Sequence, residues 1–117
     1  MKPESVIQRA VRHYLRLQGV ESVSVPNGAV LAGAADQRAR QMNALKADGL
    51  MAGFPDLLLY PRHIAAIGHV EIKVEGGRLS DNQKACHDWL LSIGHRVAVV
   101  RSIDDMAETL EAWGWVQ

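Results

Sequence analysis

Three consecutive segments restrict what this chain can fold into. Residues 66–74 alternate as a strand, with Val70, Ile72 and Val74 on one face and Glu71, Lys73 and Glu75 on the other. Glu75-Gly76-Gly77 turns the chain, and Ser80-Asp81-Asn82-Gln83 has the form of a capping box, Ser at the N-cap and Gln three residues on. The helix behind it carries Cys86, Trp89, Leu90 and Ile93 on one stripe and stops at Gly94, before an apolar strand from Arg96 to Val100. A strand, a helix and a strand at this spacing form a right-handed crossover between parallel strands. Asp56 to Tyr60 reads as a further apolar strand, broken at Pro61-Arg62 and close enough to 66–74 to pair as a hairpin. The sheet is therefore mixed, with helices against it.

The flanking segments complete the order. Pro3 suits the first turn of a helix carrying Ile7, Ala10, Val11, Tyr14 and Leu15, which Gly19 ends. Val20 to Val25 is a short strand closed by Pro26-Asn27-Gly28, and residues 27–34 are small and Gly-punctuated, as in a mobile loop. Asp36 to Lys46 reads as a helix through Ala39, Met42 and Leu45, and Ser102 to Asp105 caps a last helix lined by Met106, Leu110 and Trp113. The prediction is α/β, in the order α-β-α-β-β-α-β-α. With 117 residues and no linker or repeat, residues 1–117 are expected to form a single domain.

Several classes of function are excluded. No apolar run approaches the ~20 residues of a membrane span, and Met1-Lys2-Pro3-Glu4 leads into no signal-peptide core, which predicts a cytoplasmic protein. Cys86 is alone, so there is no internal disulfide or Cys-rich zinc site, and its apolar stripe predicts a buried, inert thiol. His13, His63, His69, His87 and His95 show no metal-ligand spacing and are assigned surface or boundary positions, with a minor substrate contact left open for His69. Trp89 and Trp113 are assigned to the core, and Trp115 to a dimer interface or the surface. Net charge is zero, but its distribution is uneven. Residues 1–46 carry Lys2, Arg9, Arg12, Arg16, Arg38, Arg40 and Lys46 against Glu4, Glu21 and Asp36, a balance that suits phosphates and also arises by chance.

The chemistry is concentrated in Gly53-Phe54-Pro55-Asp56 and Glu71-Ile72-Lys73. If the two strands pair, Asp56, Glu71 and Lys73 meet at one sheet edge. Mg²⁺ or Mn²⁺ takes one or two carboxylates plus waters and phosphate oxygens, a set that Asp56, Glu71 and the Ile72 carbonyl can supply. Lys73 is placed to orient a water or to neutralise charge on a phosphate under attack. The plain alternative is a Pro-Asp turn and a surface Glu-x-Lys, and correct strand phasing is what favours the site.

Together with Pro26-Asn27-Gly28, the run Leu45 to Leu50, and Gly77-Arg78-Leu79-Ser80-Asp81-Asn82-Gln83, these motifs resemble the VRR-NUC (virus-type replication-repair nuclease) family of the PD-(D/E)xK nuclease superfamily over most of the chain. No departure occurs at the matched acidic and lysine positions. The resemblance implies a restriction-endonuclease-like fold and metal-dependent endonuclease cleavage of DNA, often branched or Holliday-junction DNA, by a homodimer without any small-molecule cofactor. It implies Asp56 and Glu71 as ligands of Mg²⁺ or Mn²⁺, Lys73 as the catalytic lysine, Glu4 near the metal through water, and Gln83 supporting the site.

The residues themselves leave alternatives. Gln83 also serves as a capping-box side chain, and Glu4 also suits the helix dipole. Arg38, Arg40 and Lys46 are either phosphate contacts or a solvated helix face, with Asn27 and Ser80 as further candidate contacts. The competing functions are a DNA-structure-binding module of this fold with little or no cleavage alone, and a plain interaction protein.

Overall fold

Alternating apolar residues produce four short strands, and the computed structural model, which describes residues 3–26 and 31–116, joins them in one sheet. The elements are α1 (Glu4–Leu17), β1 (Val20–Ser24), α2 (Ala35–Ala47), β2 (Leu57–Pro61), β3 (Gly68–Ile72), α3 (Asp81–Ser92), β4 (Arg96–Val100) and α4 (Ile103–Ala112), in the predicted order. Strand order is β1-β2-β3-β4, antiparallel except for the parallel pair β3 and β4. The hairpin of β2 with β3 places Leu57 opposite Val70, and the crossover through α3 sets Glu71 opposite Val99.

β2 and β3 are shorter than the alternation predicts. Asp56 precedes β2 and Lys73 follows β3. The Ile72 N–H, which a continued ladder would give to a backbone carbonyl, donates instead to Asp56 Oδ2 at 2.7 Å. An aspartate side chain thus closes the β2–β3 ladder, while Lys73 N–H still donates to Val100 O at 3.1 Å.

One face of the sheet (Leu57, Leu59, Val70, Ile72) buries against Ile7, Val11 and Leu15 of α1 and Met106 and Leu110 of α4. Each such side chain contributes about 1.5–3 kcal/mol by leaving water. The opposite face of β3 is also covered, because α3, packed against β4, brings Gln83 and His87 onto Glu71. All of β3 is buried, as suits a strand between two helical layers.

Four expectations are corrected. Trp89 is 45% exposed: α3 turns Cys86, His87 and Leu90 inward and leaves Trp89 and Ile93 outside. Trp115 is buried, its ring 4.9 Å from that of Trp113 and 5.9 Å from the Arg96 guanidinium. Both indoles lie over Gly68, where a Cβ would sit 2.6 Å from Trp113. His69 and His87 are buried rather than at the surface or boundary. α2 forms where predicted, but its apolar residues do not pack: among the described residues none of its side chains is buried and it touches no other helix or strand. No helix among the described residues is long and apolar enough to cross a membrane.

Candidate nuclease site

The loop before β2 is fixed by close approach to α3. Gly53 has φ +81°, and a Cβ there would run into the backbone of Asn82 and Gln83. Only glycine tolerates both the left-handed conformation and that contact. Pro55 is buried, and Asp56 O accepts from Val25 N–H at 2.8 Å, tying the loop to the chain beyond β1. With the Ile72 N–H on Oδ2, the Asp56 carboxyl has a fixed position beside Glu71.

Glu71 is 2% exposed, on the face of β3 that α3 covers. Gln83 Nε2 donates to its Oε2 at 3.4 Å, and His87 Nε2 lies 3.1 Å from its Oε1. Gln83 is also a cap: its Oε1 accepts from Ser80 N–H at 2.9 Å and its own N–H donates to Ser80 Oγ at 3.2 Å. One end of the Gln83 amide thus closes the helix and the other reaches the carboxyl.

The electrostatics follow from crowding. Burial, then the neighbouring Asp56 carboxyl, pushes Glu71 up to about 9, against relief from Lys73 and a further push from Glu4. Burial holds His87 below the usual histidine range, so its imidazole is neutral near pH 7. Two acids in one half-dry pocket, with one lysine in range, lack positive charge. Among the described residues no three His, Cys, Asp or Glu side chains converge closely enough to hold an ion together. The available set is two carboxyls, and oxygen donors of this kind suit Mg²⁺ and Mn²⁺ better than Zn²⁺.

Asp56 opens onto a cleft of about 620 Å³ lined by Glu4, Ser5, Gln8, Arg9, Arg12, Ser24 and Ile72. Glu4 lies exposed at the start of α1, on the same cleft as Asp56.

A sequence model of the VRR-NUC domain matches residues 2–104. The chain belongs to the VRR-NUC domain family. Two solved structures share the fold. One, a VRR_NUC domain, has a TM-score of 0.66 at 20% identity over 94% of this chain and 96% of its own. The other, a VRR_NUC domain protein, has a TM-score of 0.69 at 19% identity over 97% of this chain and 90% of its own. No curated protein matches. This VRR-NUC chain is thus a nuclease-type domain.

Within the VRR-NUC fold, the remaining candidates are scattered. Arg38, Arg40 and Lys46 are exposed on α2, where Arg40 pairs with Asp36 at 3.5 Å. Ser80 is the N-cap of α3, and Asn27 lies outside the described residues. His69 is buried between Phe54, at a ring distance of 5.5 Å, and His95, whose Nδ1 is 2.9 Å from His69 Nε2, so it presents nothing to a substrate. Cys86 is buried as predicted, its thiol pushed up by burial and in contact with Met51 Sδ at 3.7 Å. His87 and the two cleft arginines are absent from the sequence-derived site. His87 carried a usable signal: it follows Gln83 by four residues and so shares its helix face.

Proposed function

We propose that this VRR-NUC chain is a divalent-metal-dependent DNA endonuclease acting on branched or four-way-junction DNA as a twofold homodimer in the cytoplasm. The observation that carries the reading is the meeting of Asp56, held by the Ile72 N–H, with Glu71 at the end of β3, where Lys73 follows.

Asp56 and Glu71, with the Ile72 carbonyl, would hold Mg²⁺ or Mn²⁺, and Glu4 would approach it through water. The ion when bound supplies Lewis-acid polarisation of the phosphate and lowers the pKa of a water. Asp56 is oriented by the Ile72 N–H, and Glu71 by Gln83 and His87. Such outer partners fix the lone pairs a metal meets. The Lys73 ammonium donates hydrogen bonds to the attacking water or a phosphate oxygen and offsets charge as it accumulates. A twofold dimer matches the symmetry of a junction and sets one site on each of two strands.

The test is a panel of linear, flap and four-way-junction DNAs, incubated with the protein in Mg²⁺ or Mn²⁺ and in EDTA. Cleavage that needs the metal and favours the junction is expected, from a protein that sediments as a dimer. A wild type that binds the junction but cuts nothing would make it a DNA-structure-binding module instead.

A further inference from the structure

The cleft beside Asp56 has two unlike ends. α1 and β1 run antiparallel, joined through Gln18 and Gly19, so the strand returns along the helix towards Asp56. Arg12 is opposite Ser22: its Nε donates to Ser22 Oγ at 3.0 Å and its Nη2 to Ser22 O at 3.4 Å. Ser24, two residues on along the same face of β1, lines the cleft with Asp56. Glu4, Asp56 and Ile72 thus mark an acidic end, and Arg9 and Arg12 a basic one. From Glu4 to Arg12 the helix rises about 12 Å. A wall of that length can face more than one phosphate of a strand.

The two arginines differ in a useful way. Arg12 is half-buried and held by Ser22, so its planar guanidinium has a set direction. Arg9 is exposed, one turn nearer the acids, and among the described residues makes no hydrogen bond or ion pair. An arginine on a cleft wall with no protein acceptor is equipped for an external one, and guanidinium suits phosphate oxygens. On α2, by contrast, Arg40 already shares its charge with Asp36.

We propose that α1 is a seat for the phosphodiester backbone: Arg9 and Arg12, with the Ser24 hydroxyl, hold the phosphates next to the one presented at Asp56 and Glu71. The proposal rests on the nuclease reading and extends it, since the seat sets which phosphodiester reaches the acids. It reads no bases, because phosphate contacts fix register without sequence.

The test is binding of a fluorescein-labelled four-way junction to the full-length protein in Ca²⁺, an oxygen-seeking cation that shields the acidic end. Salt is varied between about 50 and 200 mM. Arg9→Gln is expected to raise Kd roughly fivefold on any sequence and to lower the slope of log K against log salt by about one. Arg9→Lys keeps the slope. Arg9 makes no contact that folding needs, so its variants should melt with the wild type, whereas Arg12→Gln is checked by melting first. Unchanged Kd and slope in both Arg9→Gln and Arg9→Glu overturn the proposal, as does loss of affinity confined to Arg38→Gln and Arg40→Gln. Cleavage in Mn²⁺ is scored on the same samples. Binding through Arg9 without cutting leaves the seat standing and removes the nuclease, and cutting with Arg9 irrelevant to binding does the reverse.

Discussion

Replacing Glu71 by Gln should make the metal-free protein more stable, the reverse of what a structural carboxylate would do. In the folded chain Glu71 holds its proton up to about pH 9, whereas the unfolded chain releases it near 4.5. Between those values the folded state binds the extra proton, so stability is complete below pH 4.5 and falls as pH rises towards 9. Each unit costs about 1.4 kcal/mol, which reaches about 3 kcal/mol at pH 7. Glutamine has no proton to hold and keeps an amide for His87 and Gln83. Glu71→Gln should therefore unfold roughly 10 °C above the wild type in EDTA at pH 7, with the gap vanishing near pH 4.5. Metal closes most of the gap: an ion at one hundred times its Kd returns about 2.7 kcal/mol to the wild type and nothing to the variant. Thermal melts across pH 4.5–8, in EDTA and then in Mn²⁺, measure all of this. A variant less stable than the wild type, or a gain independent of pH, would refute the electrostatic account of the pair.

Other substitutions separate the parts of the site. Gln83→Ala loses both the acceptor for Ser80 N–H and the donor to Glu71, so it should cost about 1 kcal/mol in urea unfolding and bind Mn²⁺ more weakly. His87→Leu frees Glu71 Oε1 and should weaken Mn²⁺ binding about 10–100-fold by calorimetry, with partial recovery in His87→Asn. Gly19→Ala and Gly53→Ala share a left-handed φ, of 76° and 81°, but only Gly53 faces backbone. The first should cost about 1–2 kcal/mol and the second clearly more, and equal losses would remove the argument that Gly53 sets the loop against α3.

Strand phasing made most of the fold legible. Val70 and Ile72 point to α1 and α4 as their alternation requires, and Ser80 with Gln83 fixes the start of α3 to the residue. Period and caps are local signals, and both survive folding. What failed was the covering of the second face of the sheet. Alternation puts Glu71 on the face opposite Val70 and Ile72 but is silent on whether a helix lies there, so its 2% exposure was not legible, nor was the burial of His87, assigned a surface or boundary position. Trp89 was misassigned for the same reason, since the stripe on α3 is wider than the surface it covers. Trp115 follows the last helix and is buried only because Gly68, far away in sequence, leaves a gap for it. The arginine wall was hidden in a zero net charge, and became visible only once β1 was folded back along α1.

The central claim is that Asp56, Glu71 and Lys73 hydrolyse phosphodiesters together. Single-turnover cleavage of a four-way junction in Mn²⁺, comparing wild type with Asp56→Ala and Lys73→Ala, tests it most directly. The account predicts cutting by the wild type, loss of at least a hundredfold in rate in each variant, and Mn²⁺ binding that Lys73→Ala retains and Asp56→Ala loses. A wild type inert on every junction, or a Lys73→Ala protein that cuts at the wild-type rate, would contradict it.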